Sequence, residues 1–177
     1  MSDQAVSQPK LSNKTRNYTL AMLVAIYASS HVDRQIVSIL AESIKLELML
    51  SDTQLGFLIG LSFAIFYATL GIPIAILADR YSRRNIIAIS VIVWSGMTAL
   101  CGLGGSYVQL ALARIGVGIG EAGSSPPSHS MISDLYPAEQ RATAMGIYAS
   151  GINIGVLIGF LVGGWIDQIY GWRMAFF

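Results

Sequence analysis

Residues 53–84, "TQLGFLIGLSFAIFYATLGIPIAILADRYSRR", decide the fold. No charge occurs between Asp52 and Asp79, and Arg80, Arg83 and Arg84 follow at once. A hydrocarbon core ~30 Å thick needs about 20 apolar residues in a helix, so this is a spanning helix at about 54–78 closed by a short basic loop. Outward from it, uncharged runs predict further helices at about 18–40, 85–103, 108–132 and 142–166. The run from 85 to 113 is too long for one span, and the clustered glycines of "GLGGSY" at 102–107 divide it. Past Gly171, "WRMAFF" reads as the opening of a sixth helix from 172.

Composition supports the membrane reading. The 177 residues are 54% hydrophobic and 12% charged, where soluble domains carry about 25% charge. That leaves too little polar surface to cover a water-soluble globule, and the fold class is an all-α, polytopic membrane helical bundle. A net charge of +1 gives no basic footprint for nucleic acid. The single cysteine, Cys101, cannot form an internal disulfide. No ligand-spaced partners surround His31 or His129, so neither a metal nor a cofactor is expected. No nucleophile elbow supports a Ser-His-Asp triad, and the chain reads as no enzyme. Residues 1–17 form a polar tail with no small-residue cleavage site after it, which predicts no removable signal peptide. Lys10, Lys14, Arg16, Arg80, Arg83, Arg84 and Arg141 fall on one side of the predicted topology, Lys45 and Arg173 on the other. The positive-inside rule then places the amino terminus in the cytoplasm of a multi-pass plasma or bacterial inner-membrane protein.

Against that background "SSHVDRQIVSIL", 29–40, is anomalous, because His31, Asp33 and Arg34 interrupt the first span. At 1.5 Å per residue Asp33 lies ~20 Å from the start of its helix. The fourth helix carries Arg114 and Glu121, seven residues apart and therefore on one face. The two charged sets overlap in depth. Ionisable side chains in hydrocarbon each cost roughly 2.5–3.5 kcal/mol and should face one another or a water-filled cavity. A static pair, such as Asp33 with Arg114, would only pin the first helix to the fourth. The functional reading is a substrate and proton site, since a carboxylate paired with an arginine can trade its proton when the partner moves. His31 lies about 200° around the helix from Asp33 and could titrate or simply pack.

Two small-residue features complete the pattern. Gly151, Gly155, Gly159 and Gly163 recur every four residues in the fifth helix and clear one face for close packing. Pro73, and the pair Pro126 and Pro127, mark kinks in the second and fourth helices.

The stretch "AILADRYSRR", 75–84, resembles the loop signature of the major facilitator superfamily, with Ala75 and Ser82 where that signature has glycines. "RIGVGIGEA" in the fourth helix, "DLYPAEQRATAMG" leading into the fifth and "GWRMAFF" fall in the same order as in that superfamily. "DRQIVSIL", "LSDTQLGFL" and "RIGVGIGEAGSSPPSHSMISDLYP" are most similar to its Spinster-like branch, with His31 in place of that branch's usual asparagine. The anion:cation symporter branch shares an Asp-Arg and a "GEA" and is the alternative. The resemblance implies the amino-terminal half of a twelve-helix fold whose two halves rock around a central cavity. It implies proton handling by Asp33 and Glu121, with Arg34 and Arg114 as partners or anion contacts. Asp79, Arg80, Arg83 and Arg84 would belong to a cytoplasmic gate, which Glu139 and Arg141 could join. The expected function is proton-coupled transport, by symport, of an organic anion or amphipathic lipid-like solute. The expected partners are that solute, protons, the lipid bilayer and a carboxy-terminal half outside the 177 residues. Were the chain complete at residue 177, a non-transporting membrane scaffold or remnant would be the alternative.

Overall fold

The computed structural model describes residues 12–177. The first helix, α1 (Asn13–Ile39), starts inside the polar stretch that the sequence reading assigned to a tail. Ser12 provides the reason, its hydroxyl accepting from Thr15 N at 3.2 Å as an N-cap. Leu40 ends α1, and a short helix unforeseen in the sequence, α2 (Ala41–Leu48), follows at once and buries Ile44. Met49 stops α2 in the left-handed region, φ 50°. Ser51 and Gln54 then form a reciprocal capping box that launches the second span.

That span comprises α3 (Asp52–Gly56), a π-helical turn (Phe57–Leu61) and α4 (Ser62–Arg80). The third is α5 (Arg83–Leu103). The expected fourth span of 108–132 is instead two pieces, α6 (Tyr107–Glu121) and α7 (Ser125–Leu135). The break falls before Pro126 and Pro127, which occupy the first turn of α7, where a missing N–H is tolerated. The fifth span is α8 (Ala138–Ile158), a π-helical segment (Gly159–Gly163) and α9 (Gly164–Tyr170). Gly171, φ 81°, reverses the chain into a short 3-10 turn (Trp172–Phe176).

Three of these helices, Asp52–Ala78, Arg83–Leu103 and Ala138–Tyr170, are long and apolar enough to cross a membrane by length and composition. The surface is inverted relative to a soluble protein: Ile72, Ile92, Leu112, Leu157, Leu161 and Trp165 are all exposed. Among the described residues there is no strand.

Glycines set the packing, because helices in lipid associate through close van der Waals contact. A Cβ on Gly151 would sit 3.0 Å from the Val24 carbonyl, one on Gly159 3.5 Å from Gln35 Cβ, and one on Gly163 3.4 Å from Ile36. Contacts advance together along both chains, so α1 and α8 run parallel. On α6 the order reverses, with Gly120 against Trp94 and Gly116 against Met97, so α5 and α6 are antiparallel. Gly118 abuts Phe63 of α4. Two apolar clusters result. One gathers Leu20, Leu23, Ile87, Ile132 and Tyr148 at the arginine-bearing end. The other gathers Ile36, Val37, Leu58, Trp94, Leu110 and Val117 toward the opposite end. On α1 the stretch 29–35, polar except for Val32, falls between them.

Candidate functional site

The charged residues meet where α1 crosses α6. Arg34 Nε donates to Glu121 Oε2 at 2.7 Å. Glu121 has no solvent exposure, whereas a quarter of the Arg34 side chain remains exposed. The guanidinium carbon lies 4.8 Å from the Phe63 ring centre and 4.6 Å from that of Tyr67. The two rings stack on each other at 5.3 Å, giving Arg34 an aromatic wall on α4. Arg114, 1% exposed, points its guanidinium toward the same place and donates from Nη1 to the Asp33 backbone carbonyl at 3.3 Å. The half-buried Asp33 side chain neighbours Glu121, Arg114 and Thr98.

The static pair considered from the sequence, Asp33 with Arg114, is thus replaced by Arg34 with Glu121. Removing one partner from such a buried pair would strand the other charge. Glu121 is also the last residue of α6, where a cation faces the favourable end of the helix dipole. His31 stands apart. Its Nδ1 lies 2.9 Å from the Tyr27 carbonyl, its ring packs edge-on to Tyr27 at 4.5 Å, and its Cβ faces Gly155. It belongs to the α1–α8 contact rather than to the charged cluster. Tyr27 in turn stacks on Tyr148 at 4.3 Å, and His129 meets Tyr148 edge-on at 5.2 Å.

The aromatic members escaped the sequence reading. Phe63 and Tyr67 are four apart in α4, and their spacing from the charged segments carries no sign of which face they occupy. Tyr67 Oη reaches Ser125 Oγ at 3.5 Å, tying α4 to the first turn beyond the break in the fourth span.

At the arginine-bearing end Arg83 pairs with Asp134, a residue the sequence reading did not single out. Arg141 Nε donates to the Tyr136 carbonyl at 3.0 Å, capping the end of α7, and Arg16 lies over the Tyr136 ring at 4.6 Å. Arg80, Arg84 and Glu139 are exposed. The side chain of Asp79 lies outside what the structure describes. At the opposite end Glu47 accepts from Trp172 Nε1 at 2.7 Å and pairs with Arg173, whose Nη2 reaches the Gly104 carbonyl at 3.2 Å. Those two partners hold the Glu47 carboxyl below its ordinary value, Arg173 first. Ser43 donates to Asp167 at 2.7 Å across the same end. No group of three or more metal-ligating side chains occurs among the described residues.

The Major Facilitator Superfamily profile matches residues 23–177. An "MFS-type efflux pump" of Mycolicibacterium smegmatis is 38% identical over 89% of this chain and 37% of its own length. A "Probable L-galactonate transporter" of Escherichia coli is 31% identical over 91% of this chain and 36% of its own. The crystal structure of a bacterial homologue of the human lysosomal transporter Spinster, inward-facing and unoccupied, superposes with a TM-score of 0.87 at 40% identity. It is covered over 94% of this chain and 40% of its own. The chain therefore spans well under half the length of the proteins it matches, and its helices follow the amino-terminal half of their fold. Those proteins are transporters rather than enzymes, and this chain belongs to the Major Facilitator Superfamily of multi-pass membrane proteins.

Proposed function

We propose that the polypeptide carrying this chain is a secondary active transporter that couples an organic anion, or an anionic amphipathic solute, to protons by alternating access. The observation that carries this reading is the 2.7 Å contact of the partly exposed Arg34 with the fully buried Glu121. A buried carboxylate held by one arginine has two stable conditions. Ionised, it occupies the guanidinium; protonated, it releases it. The released planar fork fits a carboxylate or phosphate on the solute. Proton and anion then favour each other's binding by the same factor, as linkage requires. Asp33 supplies a second carboxylate, Arg114 holds the backbone of α1 at that point, and Phe63 and Tyr67 offer an apolar wall to the solute's body.

The names of relatives support the anionic charge: the proteins resembling this chain include transporters named for L-galactonate, hexuronate and sulfoacetate. These small polar anions also favour the anion:cation-symporter reading, in which the same residues serve a more polar solute. The clustering of Lys14, Arg16, Arg80, Arg83, Arg84 and Arg141 supports an amino terminus in the cytoplasm. Arg83 and Asp134, with the exposed Arg80 and Arg84, would form the gate on that side.

The test is uptake into proteoliposomes of the full-length polypeptide under an imposed pH gradient. Glu121→Gln and Asp33→Asn should each reduce gradient-driven accumulation at least tenfold while solute exchange at equal pH persists. Unchanged accumulation in both variants would remove the proton role.

A further inference from the structure

Helix α5 brings a polar edge to the charged site. Ser90, Trp94, Thr98 and Cys101 are spaced four, four and three apart, share one face and are all buried. The glycine contacts fix their height. Trp94 lies level with Gly120, and Met97 with Gly116, so Trp94 and Thr98 fall between the levels of Glu121 and Arg114 on the facing helix. Three atoms here are shielded from solvent and make no hydrogen bond to any described residue, Trp94 Nε1, Arg114 Nε and Glu121 Oε1, and the equally shielded Thr98 Oγ1 faces the Asp33 carboxylate. Trp94, Arg114 and Glu121 are at most 1% exposed and Thr98 is 8% exposed.

The chemistry of the set is complementary. Two N–H donors, one carboxylate acceptor and one hydroxyl that can act either way surround a common layer. Leaving such groups unsatisfied is costly, and buried water with about three hydrogen bonds is the usual remedy. We infer that α5 and α6 hold a buried water site, and that Thr98 is the positioning residue that links it to the Asp33 carboxylate. Thr98 neighbours Asp33, and Glu121 contributes an oxygen that Arg34 does not use. On the proton-coupled reading above, on which this role rests, the water relays a proton between the two carboxylates. The Asp33 carboxylic acid gives its proton to the water, which passes one of its own to the Glu121 carboxylate. The water is regenerated, Asp33 is left ionised and Glu121 neutral. The groups facing this layer are Asp33 and Arg34 from α1, Tyr67 from α4, Cys101 from α5, and Arg114 and Glu121 from α6.

The experiment combines X-ray hydroxyl-radical labelling with pH-dependent uptake, both on the full-length polypeptide. Bound water beside a buried side chain makes it a labelling site, so Trp94 should be oxidised in spite of its burial. Thr98→Val should cut that labelling several-fold and move the pH midpoint of uptake upward by roughly one unit, since a donor to the carboxylates is lost. Thr98→Ser should restore both. Trp94→Phe keeps the ring, removes one donor and should move the midpoint the same way, an independent reading if Thr98→Val folds poorly. Absence of Trp94 labelling in the native protein overturns the site. So does a midpoint that ignores both Thr98→Val and Trp94→Phe while uptake still responds to Asp33→Asn and Glu121→Gln. Persistent labelling together with indifference of uptake to Asp33→Asn and Glu121→Gln would support the water site and overturn the proton reading.

Discussion

Gly155→Ala is the sharpest test of the packing described above. A Cβ there would collide with the Ala28 carbonyl oxygen and lie 2.8 Å from His31 Cβ and 3.0 Å from the Ala28 carbonyl carbon. Two of the three atoms are α1 backbone, which cannot swing aside as a side chain would. The helices must part by about 1 Å at this level, a gap that forfeits a quarter to a half of each local dispersion contact. Overpacking of this kind costs about 1–3 kcal/mol. Alanine's better helix propensity returns up to ~1 kcal/mol, leaving a net loss of about 0–2 kcal/mol. Gly146 in the same helix is the internal control, because nothing lies within 4 Å of its hypothetical Cβ. Gly146→Ala should be neutral or stabilising by up to ~1 kcal/mol. Gly159→Ala, whose nearest contact is an ordinary 3.5 Å, should fall between them. Equilibrium unfolding of the full-length polypeptide in detergent, followed by helix content, would rank the three. Equal stability of Gly155→Ala and Gly146→Ala would refute the close approach of α1 and α8.

Two further expectations follow from the ends of the bundle. The Arg83–Asp134 pair is largely exposed, so a double-mutant cycle with Arg83→Ala and Asp134→Ala should return a coupling of no more than ~1 kcal/mol. The Glu47 carboxyl titrates below its ordinary value. Its contribution is therefore complete at neutral pH and lost as the pH falls through its lowered folded value. Trp172 fluorescence should report that acid transition, and Glu47→Gln should abolish it.

How much of this was legible depended on whether a feature is local. Spanning helices are, because an uncharged run of the right length declares itself, and so is the presence of buried charge in 29–40 and in the fourth span. Which charges pair is not local. Asp33 and Arg34 are adjacent, about 100° apart around α1. Only the rotation of α1 against α6 decides that Arg34 meets Glu121, while Arg114 is left to the Asp33 carbonyl. The glycine ladder showed that something packs closely but not that its partner is α1. The break after Glu121 was masked because proline signals a discontinuity without fixing its residue. Here the chain leaves the helix at 122–124 and re-enters with Pro126 and Pro127 in the first turn. The α5 edge was hidden for a further reason: Trp94, Thr98 and Cys101 are each unremarkable in an apolar span, and only burial against α6 makes them a set.

The π-helical turn at Phe57–Leu61 immediately precedes the two rings that flank Arg34. A wider turn delays the helix's rotation, so everything after it is phased differently from what an unbroken α-helix would give. Each residue of phase is worth about 100°. Had the span continued regularly from Gln54, Phe63 and Tyr67 would point along a different azimuth, and Gly118 would meet another side chain. The aromatic wall is thus set by a small irregularity upstream of it rather than by the identity of the rings alone. In such a span, alignment by residue count and alignment by direction are different things, and the Arg34 cation facing it from α1 answers to the second.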